Sequence, residues 1–207
     1  MKFQKNDLLE AVEKSLKNAE ELIEEAKLLK SHKKFARSYT LYQLSIEEIG
    51  KMSLTFNFLM YDDIEDDLQC KAFLKNFTHH QTKTKISIGL DLIFALNSDA
   101  SNFNKEVVKN FLNKSSKENI NISNNLKNYS LYTSLIENKF YSPSEIITED
   151  KVNDIEFWAN LRLEIANSFF APAIKNFDKL YETRKDFNKQ EAVEEGIKVL
   201  GKILAFN

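Results

Sequence analysis

Apolar residues recur at alternating spacings of three and four near the start of the chain, at Leu9, Val12, Leu16, Ala19, Ile23 and Ala26. That spacing is the stripe of a helix with one face turned to a core. The stripe stops at the polar Ser31-His32-Lys33-Lys34 and resumes through Phe35, Tyr39, Tyr42, Ile46 and Ile49 to Phe56 and Met60. Two long helices joined so briefly predict an antiparallel hairpin. The acidic run Asp62-Asp63-Ile64-Glu65-Asp66-Asp67 closes the second helix, and a short helix is expected through Leu74. A third main helix is expected from Thr78 to Leu96, with Ile86, Leu90, Ile93 and Leu96 toward the core and Asn97-Ser98-Asp99 as its end. A shorter amphipathic segment follows around Phe103, Val107, Val108 and Phe111.

The pattern then weakens. Residues Ser115 to Asn128 are polar and rich in Asn, and read as a long loop. Tyr129-Ser130-Leu131-Tyr132 alternates and reads as extended. Ser142-Pro143-Ser144-Glu145 has the form of a capping box with Pro at the first helical position, and Thr148 offers a second N-cap. A last long helix carries Val152, Ile155, Ala159, Ala166, Phe170, Ala173, Phe177 and Leu180, with Pro172 predicting a kink near Ser168. Val193, Ile197, Leu200 and Leu204 mark a terminal helix over about 188–205.

Only four Gly and two Pro punctuate the 207 residues, which favours long helices over many short strands. The expectation is an all-α chain forming a single helical domain over 1–207, with a core over about 7–181. Apolar residues make up 43% and charged residues 29%, so neither disorder nor a membrane protein is indicated. The apolar stretch Ile86–Leu96 falls short of the ~20 residues of a membrane-spanning helix and carries Asp91. Met1-Lys2-Phe3 leads straight into charged helix, and the lone Cys70 can form neither an intrachain disulfide nor a Cys-based zinc site. A cytoplasmic protein without membrane contact is expected. The net charge of −2 supplies no global basic field for nucleic acid. The wealth of Lys, Asn, Ile and Phe, with only Arg37, Arg162 and Arg184, suggests an AT-rich genome rather than a mechanism.

Most chemical signatures are missing. The four Gly are isolated, so there is no phosphate-cradling loop. None of His32, His79 and His80 has Glu three residues before it, as a di-iron bundle requires. No cofactor and no metal is expected. One polar constellation remains. Glu47-Glu48-Ile49-Gly50-Lys51 lies on the second helix, and His79-His80-Gln81-Thr82-Lys83 opens the third. Glu47 and Lys51 share a helix face, as do His80 and Lys83. If the two helices pack side by side, carboxylate, imidazole and ammonium groups converge, a set suited to phosphodiester chemistry. His80 would move protons, the lysines would hold phosphate, and glutamate would orient either. The plainer reading is a solvated Glu–Lys pair worth about 0.3–0.5 kcal/mol and a capping histidine. Gly50 costs a helix interior about 1 kcal/mol relative to Ala, which points to close approach by another backbone or a ligand.

These residues also carry a family resemblance. Ala36 to Lys51, ending in Glu47-Glu48-Ile49-Gly50-Lys51, resembles the pattern of the AbiV abortive-infection family. His80-Gln81-Thr82-Lys83 resembles that family's His-x-x-Lys element, and Lys127 to Tyr132 followed by Pro143 resembles its third block. The resemblance implies a HEPN-like up-and-down bundle of four or five main helices with additional short helices, a tendency to form homodimers, and a role in antiphage defence. Only Glu47, Glu48, Lys51, His80 and Lys83 carry over as candidate catalytic residues. Many HEPN proteins are metal-independent ribonucleases with an Arg-x4–6-His motif. None of the three Arg here is followed by His at that distance. The reading that follows is an effector that binds a phage-encoded protein, or the translation machinery or RNA. The alternatives are a divergent HEPN ribonuclease and a helical adaptor unrelated to defence.

Overall fold

The computed structural model describes residues 2–97, 109 and 113–183. The amphipathic segment around Phe103–Phe111 and the terminal helix over about 188–205 lie outside the described residues. Helices α1 (Lys5–Ser31) and α2 (Phe35–Tyr61) form the expected antiparallel hairpin. The turn between them uses Lys33 at a φ of 58°. Two serines record how closely the pair packs. The Ser38 hydroxyl donates to the Ala26 carbonyl at 2.8 Å, and that of Ser45 to the Ala19 carbonyl at 2.9 Å. Small residues on both helices let side chain meet backbone there.

Helix α2 is the centre of the bundle. It packs against α1, α3 (Asp67–Thr78), α4 (His80–Asn97), α5 (Lys117–Leu131) and α7 (Glu149–Lys175). It is therefore buried nearly all round, by polar Ser38, Thr40, Gln43 and Glu47 as well as by Tyr42, Ile49 and Met52. Two apolar clusters divide along it. One gathers Tyr39, Tyr42 and Ile46 with Ile23, Ile147 and Ile155. The other gathers Ile49, Met52 and Phe56 with Leu16, Leu90, Ile165 and Phe170. Phe58 stacks on Phe73 with ring centroids 4.4 Å apart, and Phe3 meets both edge-on, an arrangement that suits the quadrupoles of the rings.

Several expectations need correction. Residues 117–131 are helical, with Ser116 as N-cap accepting from the Asn119 N–H. The buried side of α5 is Ile120, Lys127 and Ser130, so tertiary packing of a mostly polar face overrides the weak helix propensity of Asn. Tyr129 to Leu131 form its last turn. The extended structure comes later, where β1 (Ser134–Ile136) pairs antiparallel with β2 (Lys139–Tyr141). Glu137 and Asn138 close that hairpin at φ 48° and 64°, the backbone of a type I′ turn. The Ser142 capping box is present and starts α6 (Pro143–Ile146). On α4 Leu90 is buried as expected, but Ile86 is only half-buried and Lys83, Thr84, Ser87, Ile88 and Asp91 are buried as well, while the side chains of Ile93 and Leu96 lie outside the described residues. Helix α7 stays helical through Ser168 and Pro172, and Asn176 separates it from α8 (Phe177–Thr183).

A buried ion pair ties α4 to α7. Arg162 Nε and Nη2 donate to the two carboxylate oxygens of Asp91 at 2.9 and 3.0 Å. Only guanidinium offers that parallel fork. Arg162→Lys keeps the charge and loses one of the two bonds. It should destabilise by about 2 kcal/mol, a fall of about 4–8 °C in melting temperature. A melt indistinguishable from wild type would mean that the second bond contributes nothing.

Candidate functional site

The site begins at Gly50. A Cβ built there would lie 2.1 Å from the Lys83 carbonyl oxygen and 2.7 Å from its carbon. The first turn of α4 thus crosses α2 backbone against backbone, at the one α2 position without a side chain to intervene. This contact brings the two halves of the polar constellation together.

Glu47, one turn before the crossing, is buried. Its Oε1 accepts from Lys127 Nζ of α5 at 2.7 Å, and its Oε2 contacts His80 Nδ1 at 2.5 Å. Lys83 Nζ lies 3.8 Å from the same Oε2. Glu48 and Lys51 are half-buried and paired with each other, and Lys51 also sits over the Phe77 ring at 5.5 Å. Burial pushes the Lys83 ammonium below its ordinary pKa, and repulsion from Lys51 and Lys127 adds to this. The Glu47 and Glu48 carboxylates pull the other way.

The two adjacent histidines divide their roles. His79 lies between α3 and α4, and its Nδ1 contacts the Thr82 hydroxyl at 2.9 Å and accepts the Thr82 N–H at 3.3 Å. It caps α4. His80 is the residue that reaches Glu47, while its side chain remains 59% exposed. Because a carboxylate oxygen only accepts, Nδ1 carries the proton in the neutral ring. The basic Nε2 is then free to exchange protons, and the carboxylate behind fixes the tautomer.

All five residues expected from the sequence therefore converge. Lys127 was not among them, although it lies within the third block of the resemblance. Its stretch reads as a loop because the face α5 buries is largely polar. Together Glu47, Glu48, Lys51, Lys83 and Lys127 carry three positive charges and two negative ones when all are ionised. That excess favours an anion near the cluster, which His80 exposes to solvent. Among the described residues no group of three or more His, Cys, Asp or Glu is placed to hold a metal ion, and no helix is long and apolar enough to cross a membrane.

The family model described as AbiV, within the HEPN group, matches residues 7–163. The chain belongs to the AbiV family. The match runs from α1 into α7 and takes in every residue of the Glu47 cluster. No curated protein and no solved structure matches the chain. The all-α architecture agrees with an AbiV bundle. The blocks that carry the resemblance in sequence are, in this AbiV chain, the segments that α2, α4 and α5 bring to one buried carboxylate.

Proposed function

We propose that the chain is an antiphage defence protein that causes abortive infection by binding, as a cytoplasmic homodimer. Its partner is a phage-encoded protein, or the translation machinery or its RNA. The AbiV family match over residues 7–163 carries this reading. The Arg-x4–6-His motif of HEPN ribonucleases is absent from the sequence, which favours binding over cleavage.

A second reading has one observation in its favour, the exposed imidazole of His80 seated on buried Glu47. In RNA cleavage, Nε2 would take the proton of a ribose 2′-hydroxyl as its oxygen bonds to the neighbouring phosphorus. The P–O5′ bond breaks, and the leaving oxygen takes the proton back from the imidazolium. Lys51, at the surface edge of the cluster, would face the phosphate.

A phage challenge of cells carrying wild type or His80→Ala separates the two, with bulk translation and RNA integrity followed together. The binding reading expects translation to fall while RNA stays intact, and the His80→Ala variant to protect as wild type does. Site-specific cleavage that disappears in the variant would select the nuclease. A wild-type protein that protects against no phage tested and binds no phage-derived component would remove the defence reading altogether.

A further inference from the structure

A cavity of about 270 Å³ lies between α2, α4, α5 and α7, apart from the Glu47 cluster. Its apolar wall includes Ile46, Ile88, Leu126 and Ile155, and Trp158 closes one side. The amide of Gln43 bridges α4 and α5 within that wall. It donates to the Thr84 hydroxyl at 3.3 Å and accepts from that of Ser123 at 3.1 Å. These polar groups satisfy one another.

Two donors do not. Tyr39 lines the cavity with 5% of its surface exposed, and its hydroxyl has no hydrogen-bond partner among the described residues. Burial and the nearby Asp154 carboxylate hold that hydroxyl protonated well above the ordinary tyrosine range, so it is a standing donor. Lys114 also lines the cavity. Its ammonium lies 3.4 Å from the Trp158 ring centroid and forms no ion pair among the described residues. The other cation of the wall, Arg162, is already neutralised by Asp91. Burial lowers the Lys114 pKa to about 8 against the pull of the Asp154 carboxylate, which also lines the cavity, and of Asp91, so the ammonium is charged at neutral pH.

We propose that this cavity is a binding site for a small organic anion, with a planar or aliphatic body among the isoleucines and one carboxylate or phosphate held by Lys114 and the Tyr39 hydroxyl. The size suits a compact ligand at the lower end of small-molecule sites. The arrangement of an apolar body site with a few convergent polar groups is what such sites need. The occupant would lie one helical turn from the Glu47 cluster on α2, where Gln43 precedes Glu47, and on α5, where Ser123 precedes Lys127.

Trp158 is the only tryptophan of the chain, so its fluorescence reports on this cavity alone. The probes are phenyl phosphate, benzoate and, as a cationic control of similar size, benzylamine. A saturable fluorescence change is expected with at least one anion and not with benzylamine, and the stronger of the two anions identifies the head group. Lys114→Met should weaken binding by roughly tenfold or more, the loss of a charged hydrogen bond. Tyr39→Phe should weaken it by roughly three- to tenfold, and Lys114→Arg should retain it. Circular dichroism checks that each variant is folded, and Tyr39→Phe carries the test if Lys114→Met is not. The proposal is overturned if neither anion saturates with folded wild type, if benzylamine binds as well, or if the folded variants bind as wild type does.

Discussion

Replacing Gly50 with alanine should destabilise the protein by about 3 kcal/mol, at the upper end of what overpacking costs, a fall of roughly 6–12 °C in melting temperature. The size of the effect follows from what the new methyl would meet. The Lys83 carbonyl oxygen, carbon and Cα lie 2.1, 2.7 and 3.0 Å from the built Cβ. All three are backbone atoms of a helix, so no side chain can swing aside. The two helices must separate, and Lys83 and His80 move away from Glu47 as they do. The second helical glycine with known surroundings provides the control. A Cβ at Gly89 on α4 meets nothing within 4 Å, so Gly89→Ala should be neutral or stabilise by up to about 1 kcal/mol through helix propensity. Thermal melts of the two variants side by side measure the difference. Equal behaviour would mean that α2 and α4 do not meet backbone to backbone.

Gly50 also shows what could be read from the sequence. A glycine in the middle of a strong apolar stripe is a local cost, and it signalled close approach before any partner was known. The long helices α1, α2 and α7 were legible because their buried faces are largely apolar at a period of 3.6. The convergence of Glu47 with His80, 33 positions apart, was legible because two helices each displayed a compact polar motif. Helix α5 was not. It buries Lys127 and Ser130, and its Asn-rich surface resembles a loop to any test based on apolar periodicity. The face of α4 misled for the same reason, since Lys83, Thr84, Ser87 and Asp91 lie inward while Ile86 is half-buried. Asp91 and Arg162 are 71 positions apart, and nothing local to either residue announces the other. Buried polar residues follow their partners rather than a period. The part of this core that sequence reading misses is therefore the part nearest the candidate site.

Glu47→Gln should be among the most damaging single changes to this core, costing about 3–5 kcal/mol at neutral pH, because it leaves buried ammonium groups without their carboxylate. Glutamine keeps the volume and can still accept a hydrogen bond, so the loss is one of charge. The pH dependence distinguishes this from a packing defect. Lys83 has a folded-state pKa below its ordinary 10.5. Between that lowered value and 10.5 the unfolded chain binds more protons than the folded one, so Lys83 makes stability rise with pH across the window. Glu47 is one of the groups holding the Lys83 pKa up, and its removal extends the window downward. The variant should therefore gain more stability than wild type as the pH rises, and the gap in urea unfolding should narrow between pH 7 and about pH 9.5. A gap that stays constant would point to lost packing rather than uncompensated charge. His80→Ala is the companion measurement. It removes the exposed partner and leaves Glu47 with Lys83 and Lys127, so it should cost no more than about 1 kcal/mol. If the two variants were equally unstable, the exposed histidine rather than the buried lysines would be what holds the carboxylate in place.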